Sequence, residues 1–151
     1  MAKITKSIEI EASPEKVFAF TNDLQKRNET SKGWAEAKYL SDGPVGVGTK
    51  MHYIGWAAGK RGEWDVEITE FVENKKVVAS IAGGGKQKMD DELTFEPTEK
   101  GTKLTFTLDY NVLPVVLGSL LDRLVVKKDM EKGMGNMLEN MKKALEAQFK
   151  S

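Results

Sequence analysis

The segment from Trp34 to Tyr110 most constrains the fold, because short runs of alternating apolar and polar residues are broken there by turn residues. A period of two residues is typical of strands that bury one face. The breaks are short and favour consecutive antiparallel hairpins. The pattern predicts six strands, at 35–41, 48–57, 61–72, 76–82, 86–96 and 102–110.

The residues on either side of this segment predict one more strand and three helices. Residues 3–11 alternate as a strand, and Ser13-Pro14 supply an N-cap and a first helical residue for a short helix. A second short helix is expected within 22–32, ending at Gly33. From Pro114 to about Phe149 apolar residues recur at helical spacing, at Leu117, Leu121, Leu124, Met134, Leu138, Met141 and Leu145. Gly133 and Gly135 are expected to weaken this helix.

This order of elements predicts an α+β fold in which a curved antiparallel sheet of about seven strands wraps around the long C-terminal helix. Two short helices follow the first strand. The chain of 151 residues has the size of one domain and shows no linker, so a single domain over 1–151 is expected.

The overall composition argues against several classes of function. Lys plus Arg and Asp plus Glu both number 23, so the basic excess of a nucleic-acid-binding protein is absent. There is no cysteine and only one histidine, and we predict neither a metal ion nor a cofactor. The longest nearly uncharged apolar run, 110–121, is shorter than the roughly 18 residues that span a bilayer. We expect a cytoplasmic protein without a membrane span, with the monomer as the favoured state.

The glycine run from Gly43 to Gly48 has the spacing of a phosphate-binding loop. However, Thr49 precedes Lys50, the reverse of the order such a loop requires, and a strand follows instead of a helix. The run therefore predicts a turn that leads into a strand.

Five segments in this order resemble the START-like (SRPBCC) superfamily, with its helix-grip fold, and more closely its polyketide cyclase/dehydrase-like branch. They are IEIEASPEKVFAFTND at 8–23, DGPVGVGTK at 42–50, EWDVEITEFVENKKVV at 63–78, FEPTEKGTKLTFTLDY at 95–110 and NMLENMKKALE at 136–146. The resemblance implies a cavity between sheet and C-terminal helix that holds lipids, sterols, polyketides or other apolar molecules. Some members of the superfamily catalyse cyclisation or dehydration, and others act as co-chaperones.

Large aromatic side chains and flexible methionines commonly line apolar pockets, and they form the set of candidate ligand-binding residues. Trp64, Val66 and Ile68 alternate together and are predicted to point inward. Plain packing of the core would use the same residue types. The candidates are Tyr53, Trp56, Trp64, Val66, Met89, Phe106, Tyr110, Met134, Met137 and Met141.

His52 and Asp91 are the weak candidates for catalysis. His52 titrates near neutrality, but its strand is apolar on both faces, so its direction is open and a structural role is favoured. Asp91 shares a strand face with Leu93 and Phe95, where a carboxylate is costly unless it is paired or hydrated. The favoured interpretation is that the strand frays or bulges there and leaves Asp91 in water.

Three functions follow, in order of preference. The first is binding of a small apolar or amphipathic molecule in the cavity. The second is a cyclase or dehydratase activity, which needs an acid or base in the pocket. The third is a non-enzymatic interaction or co-chaperone module, for which the apolar stretch 112–117 could form an exposed patch.

Overall fold

The computed structural model describes residues 2–57, 60–83, 87–110 and 120–149. A curved antiparallel sheet wraps around a long C-terminal helix, with two short helices after the first strand, which confirms the predicted α+β helix-grip fold. The elements are β1 Ala2–Ile10, α1 Pro14–Thr21, α2 Leu24–Thr30, β2 Ala35–Tyr39, β3 Lys50–Ala57, β4 Lys60–Val72, β5 Lys76–Gly83, β6 Gln87–Pro97, β7 Thr102–Tyr110 and α3 Leu120–Phe149.

The seven strands form one sheet in the order β1-β7-β6-β5-β4-β3-β2. Strands β2 to β7 are consecutive hairpin partners, as predicted, and β1 joins the far edge beside β7. The segment between β2 and β3 is a series of turns in which Gly43 and Gly48 have φ angles of 97° and 91°. Because only glycine adopts such angles without strain, this run is the predicted turn.

Asparagine side chains tie α2 to two other parts of the fold. The amide of Asn28 donates to the Ala37 carbonyl and accepts from the Ala37 N–H, both at 2.8 Å, which joins α2 to β2. The Asn140 amide in α3 donates to the Thr30 carbonyl at 3.0 Å. The position of α2 is thereby fixed against β2 and α3 together.

Helix α3 is continuous from Leu120 to Phe149, so the two glycines do not interrupt it. The predicted start at Pro114 lies outside the described residues. The C-terminal half of α3 covers the edge strand β1, where Lys142 donates to the Glu9 carbonyl at 2.7 Å. Leu124 of the predicted stripe is 47% exposed, whereas Met134, Met137, Leu138, Met141 and Leu145 are buried. No helix among the described residues has both the length and the apolar character needed to cross a membrane.

Gly133 allows α3 to pack directly against Trp34, the residue before β2. A Cβ atom built at Gly133 would lie 2.4 Å from Nε1 of Trp34, so the indole ring occupies the space that a side chain would need. Trp34 in turn packs near Phe106 of β7, with ring centroids 6.5 Å apart. By contrast, a Cβ atom at Gly135 would meet nothing within 4 Å.

The two glycines of α3 make a matched pair for mutagenesis. Gly135→Ala is expected to stabilise the protein by up to about 1 kcal/mol, because alanine is the better helix former and space is free. Gly133→Ala gains the same propensity but must displace Trp34, and we expect a net destabilisation of about 1–2 kcal/mol. Urea unfolding of both variants measures the difference. Equal stabilisation by the two substitutions would contradict the contact between Gly133 and Trp34.

Candidate functional site

The inner surface of the curved sheet carries several of the predicted ligand-binding residues. Val66 and Phe106 are buried on this surface, and Met134, Met137 and Met141 of α3 are buried in the same core, all at 4% exposure or less. Tyr53, Trp64 and Met89, together with Trp34, pack against the same core yet remain partly exposed. These four side chains therefore face the interior and still have surface in contact with solvent.

Two glycines leave space for the ring of Trp64 on this surface. Gly55 of β3 pairs with Gly62 of β4, and Cβ atoms added to them would lie 2.9 Å and 2.4 Å from the Trp64 ring. The indole therefore lies directly over bare backbone. Tyr53, the cross-strand partner of Trp64, lies next to it on the same face.

Arg27 brings a permanent positive charge to this otherwise apolar region. It lies three residues from both Leu24 and Thr30, which are buried, and so shares their face of α2. The residue is half-buried overall, and its guanidinium group is enclosed within hydrogen-bonding reach of the Tyr53 hydroxyl. Burial acts to lower the pKa of Arg27, but interactions with Tyr53 and Asp91 outweigh it and the pKa is raised. Arg27 therefore stays charged.

Asp91 lies on the inner face of β6, between Ala79 of β5 and Leu108 of β7, and is only 8% exposed. The strand pairs without interruption at this point, so the favoured interpretation of a frayed strand and a hydrated Asp91 is wrong. Burial raises the pKa of Asp91 to about 6; Arg27 opposes this rise and the neighbouring Asp90 adds to it.

Arg27, Tyr53 and Asp91 form one polar cluster. Arg27 lies on α2, and β4 and β5 separate the strand of Tyr53, β3, from that of Asp91, β6. The curvature of the sheet and the inward side of α2 bring them together. The charges of Arg27 and Asp91 interact, yet no direct ion pair or hydrogen bond joins these two described side chains. Burial raises the pKa of Tyr53, with a smaller opposing effect from Arg27, so its hydroxyl stays protonated at neutral pH.

His52 points to the outer face of the sheet. Its Nδ1 lies 3.1 Å from Asp65 Oδ1, and its Nε2 lies 3.1 Å from Glu63 Oε1. These hydrogen bonds, to Asp65 first and then to Glu63, raise the pKa of His52. Within the described part of the chain, no group of three or more acidic or histidine side chains is arranged to hold a metal ion.

Of the two remaining predicted residues, Trp56 faces outward, and only the backbone of Tyr110 is described. Trp56 alternates with His52 along β3 and faces outward, opposite Arg61 of β4. The backbone of Tyr110 pairs with Ala2 and Met89, but its side chain lies outside the described residues. Neither His52 nor Trp56 is therefore part of the inner surface.

Arg27 is the one member of the polar cluster that the sequence analysis missed. Its signal was its spacing, since a residue three positions from Leu24 on a short helix lies on the face that Leu24 buries. A charged residue on the buried face of a helix is a candidate for a functional role.

The raised pKa of Asp91 makes stability depend on pH in a defined direction. Because the folded pKa is about 6 and the unfolded value is about 3.9, the folded state holds this proton more tightly. The contribution of Asp91 to stability is therefore lost as pH rises from about 4 to about 6, by roughly 2–3 kcal/mol. In urea unfolding, the free energy of unfolding of Asp91→Asn relative to that of the parent protein is therefore expected to rise by that amount between pH 4 and pH 8.

The neighbouring aspartate provides the control for this measurement. Asp90 is exposed on the other face of β6, and Asp90→Asn should leave most of the pH dependence in place. If Asp91→Asn followed the parent protein at every pH, Asp91 would titrate as an ordinary carboxylate.

Comparison with solved structures finds the same fold in several proteins of low sequence identity. The protein TTHA0849 from Thermus thermophilus is 22% identical and aligns with a TM-score of 0.82 over 98% of this chain and 99% of that one. The Zhui aromatase/cyclase from a Streptomyces species is 14% identical, with a TM-score of 0.78 over 96% and 93%. The di-domain ARO/CYC StfQ from the steffimycin biosynthetic pathway is 13% identical, with a TM-score of 0.81 over 99% and 52%.

At these identities the solved structures show the shared fold, and membership of a family rests on the sequence itself. No curated protein matches the chain. The family model described as polyketide cyclase / dehydrase and lipid transport matches residues 1–146, nearly the whole sequence. The chain belongs to the polyketide cyclase / dehydrase and lipid transport family.

Proposed function

We propose that this protein binds a small apolar or amphipathic molecule in the concave space between the sheet and α3. The observation that carries the proposal is that large side chains packed against the core remain partly exposed, among them Trp34, Tyr53, Trp64 and Met89. Exposed aromatic surface on a concave wall is costly in water and becomes favourable when a ligand covers it. The description of the family, which includes lipid transport, is consistent with such a ligand.

The inner surface offers both kinds of contact that an amphipathic molecule needs. The two indoles and Met89 provide apolar area for its body, and methionine adapts to varied shapes. A small number of polar groups in an apolar pocket fixes the orientation of a ligand. Here those groups are Arg27, Tyr53 and Asp91.

The three tryptophans of the chain allow a direct test, because two face the interior and one faces outward. Titration with fatty acids, fatty alcohols and flavonoids is expected to shift the indole N–H NMR signals of Trp34 and Trp64. The signal of Trp56 should stay in place, and Trp56→Phe should bind with unchanged affinity. A broad panel that shifts no indole signal, or only that of Trp56, would argue against binding in the concave space.

A cyclase or dehydratase activity is the second candidate, favoured by Asp91. A carboxyl group with a pKa of about 6 can accept a proton and return it near neutral pH. Such transfers accompany the removal of an activated C–H proton and the loss of a hydroxyl group. The Zhui protein, which has the same fold, is named as an aromatase/cyclase. The apolar stretch 112–117, on which an interaction module would depend, lies outside the described residues.

Mutation of Asp91 and of His52 separates this candidate from the first. If the protein turns over a poly-β-keto thioester, Asp91→Asn should lower the rate by roughly 10² or more. His52→Ala should have little effect, because His52 faces away from the pocket. Loss of activity in His52→Ala with full activity in Asp91→Asn would exclude Asp91 as the acid or base.

A further inference from the structure

We propose that the ligand carries an anionic group, most simply a carboxylate, which binds to Arg27 and Tyr53 while its apolar body lies against the inner-face tryptophans. The proposal names the ligand class of the site in "Proposed function" and rests on that function.

The guanidinium of Arg27 has donors to spare. The group carries five N–H donors, and the Tyr53 hydroxyl is the one described side chain within hydrogen-bonding reach of it. Asp91 is near enough to influence its charge but makes no direct ion pair with it. A buried charge with an incomplete set of partners is costly, and a planar carboxylate matches the guanidinium fork.

The sign of the ligand charge follows from what each buried group can do. Arg27 cannot lose its charge at any ordinary pH. Asp91 can become neutral by taking up a proton, which its burial favours. The permanent charge of the cluster is therefore positive, and an anion can enter without leaving a pair of repelling carboxylates.

The position of the cluster suits a ligand with an apolar body. Tyr53, which faces Arg27, is the cross-strand partner of Trp64, so an anionic group at Arg27 places the rest of the molecule beside the indole. The hydroxyl of Tyr53 stays protonated and can donate a second hydrogen bond to the same anion.

Binding of an anion should couple to a proton. The groups that influence Asp91 are Arg27 from α2, Tyr53 from β3 and Asp90 beside it, while its neighbours on β5 and β7 are Ala79 and Leu108. A carboxylate at Arg27 would weaken the one attraction that keeps Asp91 ionised. Asp91 should then take up a proton, so an acidic ligand should bind more tightly as pH falls from 8 to 6.

The test compares matched acids and alcohols on the intact protein. Decanoic acid is paired with 1-decanol, and 2-naphthoic acid with 2-naphthalenemethanol, in calorimetric titrations at pH 6, 7 and 8 in buffers of different ionisation enthalpy. In at least one pair we expect the acid to bind tenfold or more tightly than the alcohol at pH 7, with net proton uptake for the acid alone. Arg27→Met should remove the preference, and Arg27→Lys should keep part of it.

Asp91→Asn provides a second variant that does not depend on how well the Arg27 variants fold. It should bind the acid several-fold more tightly than the parent protein at pH 8, without proton uptake. Equal affinity for acid and alcohol in both pairs, or an acid preference that persists in Arg27→Met, would overturn the anionic ligand. If acids and alcohols bind equally and shift the signals of Trp34 and Trp64, the proposed binding function stands and the anionic ligand class is overturned. If neither acids nor alcohols bind, the binding function and the anionic ligand class are both overturned.

Discussion

One long helix and two short helices have to cover the apolar face of a seven-stranded sheet, and this mismatch in width shapes the molecule. A helix is about 10 Å wide, whereas seven flat strands would span about 30 Å. Curvature lets the sheet meet α3, which packs chiefly against β1 at one edge. Helix α1 packs against β6 and β7, and α2 packs against β2, so the inner side of the remaining strands is covered only in part. Tyr53, Trp64 and Met89 are among the residues left half-covered.

The same geometry explains where the interior can hold charge. A fully enclosed guanidinium and carboxylate that do not touch each other would cost several kcal/mol of folding free energy. Asp91 is buried and Arg27 is half-buried, and both lie near Tyr53, which is half-covered. In the densely packed part of the core, by contrast, Phe18 meets Phe71 and Phe95 edge to face, with centroids 5.2 Å apart. Apolar packing and the polar cluster thus occupy different parts of one interior.

The parts of this arrangement that depend on the period of a strand could be predicted from the sequence. Alternation fixes the face of each residue, so Trp64, Val66 and Asp91 were assigned correctly to the inner side. It could not orient His52, because Ile54 on the outer face of β3 is as apolar as Met51 on the inner face. The same alternation placed Asp91 inward, but a general rule about the cost of buried charge led to the wrong environment for it.

The meeting of Arg27 with Tyr53 and Asp91 depends on contacts that no local pattern encodes. It requires the docking of α2, which Asn28 and Asn140 determine through bonds to residues 9 and 110 positions away. It also requires a sheet curved enough to bring β3 and β6 to one cluster. Periodicity describes single elements, and a residue such as Arg27 becomes recognisable only when neighbouring elements are in place.

The double attachment of α2 has a mechanical consequence. Asn28 bonds this helix to β2, and Asn140 bonds it to α3. If α3 moved away from β2 to admit a large molecule, at least one of these two attachments would break. Helix α2 would then move with the element to which it remained bonded, either β2 or α3. Arg27 would then be carried toward or away from Tyr53, so the separation of α3 from β2 and the location of the positive charge would change together.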